Sequence, residues 1–141
     1  MGIVFNIPIL ENENIALLPI IKTDSTYMIK NNNGVIISKL NYYDYNIKNF
    51  DWILIANLET NPKYRGNGLA TKLINELYKD ITTTTHKGLY LFVKDNNTTA
   101  IKLYTKLKFE VIKKYTLKDG EYIIMAKGNA NKSQFLKMNF S

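Results

Sequence analysis

The 141-residue chain has no cysteine, one histidine and one arginine. Without cysteine there is no disulfide framework, no zinc-finger spacing, no thiol nucleophile and no acyl-cysteine intermediate, so its chemistry must use other groups, and no metal is expected. No apolar run approaches the roughly 18 residues of a membrane span. The first residues lack the basic n-region of a signal peptide. Met1-Gly2 opens like a myristoylation signal, but Asn6 stands where that signal needs Ser or Thr. The expectation from these absences is a soluble, cytoplasmic protein without membrane contact. What is present is 45% hydrophobic and 22% charged residues, enough apolar side chain for one compact core and too much for a disordered segment.

The formal charge of +7 and ten tyrosines fit a nucleic-acid binder, with aromatic stacking platforms between phosphate contacts. A compositional origin fits as well, because Asn, Ile and Lys each occur 18 times. Position says more than the total. Residues 1–60 carry four Lys against six acids, net −2, whereas residues 61–141 carry fourteen Lys and one Arg against six acids, net +9. The second half is suited to an anion. Arg65 is the one place where a lysine-rich chain uses a planar, bidentate donor, which matches a phosphate.

Along the chain, Ile3, Phe5, Ile7 and Ile9 alternate as an opening strand. Residues 10–26, interrupted by Pro19, leave room for at most one short helix. Thr26 to Lys30 and Val35 to Tyr45 flank an Asn-Asn-Asn-Gly turn and read as a hairpin. Asp51 to Thr60 reads as a central strand, with Ile53 and Ile55 on one face and Leu54, Ala56 and Leu58 on the other. Leu69, Leu73, Leu77 and Ile81 recur every four residues as a helix with Ile74 beside them. The strand Leu89 to Val93 follows. Asn97 then caps a second helix with Ala100, Ile101, Tyr104 and Leu107 inward, and a last hairpin spans Phe109 to Ala126. The organisation expected is one domain over residues 1–127 and a tail over 128–141 whose Phe135, Leu136, Met138 and Phe140 follow no clear period.

The junction from Thr60 through Arg65-Gly66-Asn67-Gly68 into the helix at Leu69 is an anion site in outline. First-turn N–H groups are unpaired, the helix dipole adds partial positive charge, and the glycines admit close approach. A solvated turn gives the same short pattern. A Walker loop is excluded, because G-x-x-x-x-G-K-[ST] does not occur. Asn97 and Tyr104 stand seven residues apart, two helical turns, and so share a face.

Taken together, an apolar strand, Pro62-Lys63-Tyr64-Arg65-Gly66-Asn67-Gly68-Leu69-Ala70, a helix, a strand, then Asn97-Thr98-Thr99-Ala100-Ile101-Lys102-Leu103-Tyr104 and Phe109 resemble the GNAT superfamily of N-acetyltransferases, from about Thr26 to Lys127. The resemblance implies an α/β fold of the α+β type: a mixed, mostly antiparallel sheet of six to seven strands, splayed centrally and flanked by helices, with a shortened N-terminal helical region. It implies acetyl-CoA as co-substrate and a primary amine as acceptor, whether a small amine, a polyamine, a protein N-terminus or a lysine. The family pattern carries the pyrophosphate onto Arg65, Gly66, Asn67, Gly68, Leu69, Ala70 and Thr71, the pantetheine onto the main chain of Leu58 and Thr60, and further cofactor contact onto Asn97 and Tyr104. Tyr104 takes the role of general acid for the departing thiolate. A homodimer is compatible, and nucleic acid is a lesser alternative.

Three departures from the family stand out. The central strand is poor in bases: Leu54 and Ala56 cannot take a proton, and Glu59 points away from their face unless a bulge turns it. Glu59 is then one candidate base beside a water-relayed backbone carbonyl, Asp51, or an amine that arrives neutral, and a non-catalytic CoA-binding module is an alternative function. Lys108 occupies a helix end where the family commonly has glycine, so a rebuilt cap is expected. The segment from Leu10 to Thr26 is short where the family has two helices. Two further groups have plainer readings. His86, among threonines, is expected at the surface, and the Tyr42, Tyr43, Tyr45, Phe50 and Trp52 cluster reads as hairpin core, dimer contact or acceptor pocket.

Overall fold

The computed structural model describes residues 14–128 and 132–137. The opening strand over Ile3 to Ile9 lies outside them. The described residues form seven strands: β1 (Ile20–Lys22), β2 (Thr26–Lys30), β3 (Ile36–Tyr43), β4 (Trp52–Thr60), β5 (Gly88–Lys94), β6 (Glu110–Leu117) and β7 (Gly120–Gly128). Two helices join them, α1 (Leu69–Ile81) and α2 (Thr98–Lys106), with short 3-10 turns at Ile15–Leu17, Pro62–Tyr64 and Lys132–Lys137. The strands form one sheet in the order β1-β2-β3-β4-β5-β7-β6. The β1/β2, β2/β3, β5/β7 and β6/β7 ladders are antiparallel, while β4 and β5 run parallel. This is the mixed α+β sheet the sequence implied. Strand β1 is a correction to the reading of residues 10–26: its three residues are too few to show a period.

The chain divides into two compact units. The first comprises residues 1–41 and 57–75. Within it Tyr27 and Ile29 of β2 are buried in alternation, as a half-buried strand requires. The β2/β3 turn closes at Gly34, whose φ of 79° suits glycine, and the Asn31 side chain accepts from the amides of Asn33 and Val35. Leu69, Leu73 and Ile74 of α1 are buried. Lys72, on the first turn of that helix, donates to the carbonyls of Ala16 and Leu18, tying residues 14–18 to α1.

The second unit comprises residues 42–56 and 76–141. Its core gathers Phe50, Trp52, Tyr90, Ile124, Ala126 and Phe135. Phe135 is fully buried, with its ring 4.9 Å from Trp52, 5.1 Å from Phe50 and 5.3 Å from Tyr90. A residue of the unassigned tail therefore completes this core, and Lys132 helps to hold its turn by donating to the Gly128 carbonyl. Phe50 and Trp52 are core residues, while Tyr43 and Tyr45 stack on each other at the surface.

The parallel β4/β5 ladder contains three pairs, Trp52 with Gly88, Ile53 with Leu89 and Leu54 with Tyr90. Both strands continue past it, β4 to Thr60 and β5 to Lys94. Asn57 interrupts β4 with a φ of 52°. A left-handed residue inside a strand breaks the alternation of side chains, and this one stands two residues before Glu59.

Candidate functional site

In the first unit, β4 ends at Thr60 and the chain turns at once. The Asn61 side chain accepts from the Lys63 amide at 3.0 Å, and Pro62 occupies the first turn of the 3-10 segment, where its missing N–H costs nothing. Tyr64 fixes the other side of this turn: its hydroxyl accepts from Asn31 Nδ2 at 3.2 Å. Gly66 and Gly68 follow with φ of 82° and 72°, values that an L side chain adopts only under strain. Asn67 between them donates from its side chain to the Tyr64 carbonyl at 2.9 Å. Helix α1 then starts at Leu69 with no acid in its first turn. An anion at this end meets first-turn N–H groups and no acid on the helix's own first turn.

A cavity of about 450 Å³ opens beside the junction, lined by Ile36 to Lys39, Glu59 to Pro62 and Arg65. Arg65 is exposed, and its Nε donates to the Thr60 carbonyl at 3.4 Å. The first unit thus brings Glu59, Thr60 and Arg65 to one cavity. The Leu69 side chain is buried, so what it offers a ligand is its main chain. Ala70, Thr71 and Leu58 are half-buried. Glu59 is exposed, and its main-chain carbonyl accepts from the Ser38 hydroxyl. Ser38 and Tyr64 were missed as supports of this junction because nothing in their spacing announces a role.

In the second unit, Asn97 caps α2, its Oδ1 accepting from the Ala100 amide at 3.1 Å. The cap uses one of the two lone pairs on that oxygen and neither N–H of the side-chain NH₂ group. Tyr104 is half-buried on the same helix, and burial pushes its hydroxyl above the usual tyrosine value of 10.0. It stays protonated at neutral pH and is able to give up a proton to a stronger base. The helix ends at Lys108, which adopts a φ of 74°. The expected rebuilding of this cap does not occur; lysine takes the left-handed position itself.

His86, expected at the surface, is partly exposed there. It is paired, with Nε2 2.7 Å from Asp44 Oδ2 and Nδ1 2.8 Å from Thr84 Oγ1. Asp44 lies below the usual carboxylate value, first because it accepts from the Asn46 amide and then because of His86. A partner 42 residues away in the chain leaves no local mark in the sequence.

A family model described as FR47-like protein matches residues 45–117, just over half of the chain. The chain belongs to this FR47-like family of GNAT N-acetyltransferases. An acetyltransferase from Pectobacterium atrosepticum is 33% identical over 70 residues, covering 46% of this chain and 50% of its own. The chain therefore spans about half the length of that curated relative. Among solved structures, Arabidopsis thaliana Naa50 in complex with the bisubstrate analogue CoA-Ac-MVNAL is 20% identical, with a TM-score of 0.66 over 89% of this chain and 92% of that one. A GNAT family acetyltransferase from Elizabethkingia anophelis with acetyl-CoA bound is 18% identical, with a TM-score of 0.65 over 74% of this chain and 75% of that one. At these identities the structures establish the GNAT fold of this chain. Among the described residues no helix is long and apolar enough to cross a membrane, and no cluster of His, Asp and Glu is arranged to hold a metal.

Proposed function

We propose that this GNAT chain transfers an acetyl group from acetyl-CoA to a primary amine by direct attack within a ternary complex. The observation that carries the reading is the Arg65 to Leu69 junction: two glycines in left-handed conformations with open space around them, leading into a helix whose first turn holds no acid. A diphosphate fits there by chemistry, through main-chain N–H groups, the positive end of the helix dipole and the Arg65 fork. The acetyl-CoA in the Elizabethkingia structure and the bisubstrate analogue in the Arabidopsis one support the same co-substrate.

In this reading the amine nitrogen attacks the acetyl carbonyl carbon, the carbon–sulfur bond breaks, and Tyr104 gives its proton to the departing thiolate. The amine loses its proton to Glu59, directly or through water, and the Tyr104 proton is restored from solvent. Main-chain groups of Leu58 and Thr60 hold the pantetheine arm, and Asn97 adds a donor. Burial of Phe135 in the second unit's core supports a domain that includes part of the tail beyond residue 127.

The test is incubation with isotopically labelled acetyl-CoA and a mixture of small amines, polyamines and peptides, read by mass spectrometry and by release of free thiol. Label on an amine, with matching thiol release, is the expected outcome and names the acceptor class. Saturable acetyl-CoA binding with no thiol release across the mixture would instead make the chain a CoA-binding module, consistent with apolar Leu54 and Ala56 on β4.

A further inference from the structure

Ser38 is the one buried polar side chain among the described residues, 1% exposed. It shares the buried face of Leu40, paired with buried Ile29, and beside it β3 carries an extra residue against β2: Ile29 pairs with Ser38 and Lys30 with Ile36, leaving Ile37 over. Ile37 and Ser38 are both buried, and the extra residue changes the alternation of side chains at this point. The bulge grips the end of β4 at three successive residues. The Asn61 amide donates to the Ile37 carbonyl at 2.8 Å. Ser38 Oγ donates to the Glu59 carbonyl at 3.1 Å and lies 2.9 Å from Thr60 Oγ1. A hydroxyl has one proton to give. With that of Ser38 directed to Glu59, Thr60 is the donor in the second bond, and the order runs Thr60 to Ser38 to the Glu59 carbonyl. Thr60 in turn accepts Arg65 Nε on its own carbonyl.

We propose that Ser38 is a positioning residue of the phosphate site, acting through Thr60 on Arg65. This rests on the reading that the junction takes the diphosphate of CoA. An arginine held at Nε keeps its terminal amino groups for a phosphate and loses less side-chain freedom when the ligand arrives. Replacing Ser38 by alanine removes the group that fixes the Thr60 side chain and the Glu59–Thr60 main chain, so Arg65 starts from a broader range of positions. The loss falls on CoA affinity and spares the acceptor.

The experiment is a double-mutant cycle on the full chain, with CoA as the probe in calorimetry: wild type, Ser38→Ala, Arg65→Ala and the pair. The expected result is CoA binding to Ser38→Ala weakened about 2- to 12-fold, the span of one ordinary hydrogen bond, and no further loss from Ser38→Ala once Arg65 is alanine. In steady state, KM for acetyl-CoA rises while kcat holds. Equal losses in both Arg65 backgrounds, or no loss at all, would show Ser38 to be structural and overturn the proposal. Absence of CoA binding in the wild type would sink the diphosphate reading itself, before any variant is compared. Should Ser38→Ala not fold, Ser38→Cys, which keeps most of the volume with a weaker donor, takes its place in the cycle: a loss confined to the Arg65 background supports the proposal, and an equal loss in both overturns it.

Discussion

The amide of Phe109 donates to the carbonyl of Tyr104 at 2.9 Å, while their rings lie 5.7 Å apart at 58°. With the Lys108 amide on the Thr105 carbonyl at 3.0 Å, this is a Schellman ending complete with its apolar contact. The helix terminus and the placement of the proposed general acid are thus one structure. Its weak point is Lys108 at φ 74°, since a side chain in the left-handed region costs roughly 1–2 kcal/mol. Lys108→Gly is expected to stabilise the protein by about 0.5–1 kcal/mol, after allowing for the extra freedom of glycine in the unfolded chain. Urea unfolding measures it. A loss of stability would mean that the lysine side chain contributes more than its backbone costs.

Tyr104→Phe keeps the ring against Phe109 and removes only the hydroxyl. Turnover at saturating acetyl-CoA and amine is expected to fall by on the order of 10² or more, the range of a positioned general acid, with the thermal midpoint little changed. Because burial raises the Tyr104 value above 10.0, any decline in rate from loss of its proton is expected to be shifted to higher pH than for an ordinary tyrosine. Turnover equal to wild type would remove Tyr104 from the proton transfer.

Arg65→Ala is expected to weaken CoA binding by about 1.5–3 kcal/mol, the range for hydrogen bonds to charged groups. Arg65→Lys should restore only part of this, since lysine keeps the charge but has no planar fork and no Nε to rest on the Thr60 carbonyl. Calorimetry at two salt concentrations separates the contributions, because the Coulombic part weakens with ionic strength. Full recovery in Arg65→Lys would mean that charge alone is read.

Asp44 joins the segment before β4 to the α1–β5 connector through His86. Its lowered value means that the folded state favours the carboxylate, so its contribution is complete above the ordinary value of 3.8 and disappears as pH falls through the lower folded value. Asp44→Asn is therefore expected to cost about 0.5–1 kcal/mol at pH 7, as a partly exposed pair does, and nothing once the wild-type carboxylate is protonated. Denaturant midpoints of the two proteins, followed from pH 7 down through the acid range, test this. A difference that persists undiminished in acid would assign the effect to shape and not to charge.

Much of the architecture was legible because its signals are local. Leu69, Leu73, Leu77 and Ile81 mark α1 by period, Asn97 marks the start of α2 by its capping chemistry, and Asn31 to Gly34 mark a turn by backbone demand. The glycine-containing turn into α1 was legible for the same reason, as a run of successive residues. What escaped depends on partners distant in the chain. Ser38 reads as an ordinary strand serine until Glu59 and Thr60 lie beside it, His86 as a loop residue until Asp44 arrives, and Phe135 as an unpatterned aromatic until Phe50, Trp52 and Tyr90 surround it. Asn57 was hidden differently, since one left-handed residue in a strand leaves the hydrophobic pattern almost intact.

The glycines Gly88 and Gly128 face each other across the β5/β7 ladder, with Trp52 against both. A Cβ on Gly88 would collide with the Lys127 carbonyl oxygen and approach Trp52 Cζ3 to 2.6 Å; one on Gly128 would collide with the Lys87 carbonyl oxygen and approach the Trp52 ring to 2.9 Å. Neither carbonyl can retreat without distorting the end of the ladder. Gly88→Ala and Gly128→Ala are each expected to destabilise by about 2–4 kcal/mol, read from urea midpoints. Adding Trp52→Phe clears the ring contact but leaves the carbonyl contact, so it should not rescue either variant. A rescue would show that the indole sets the limit and that the main chain has room to yield.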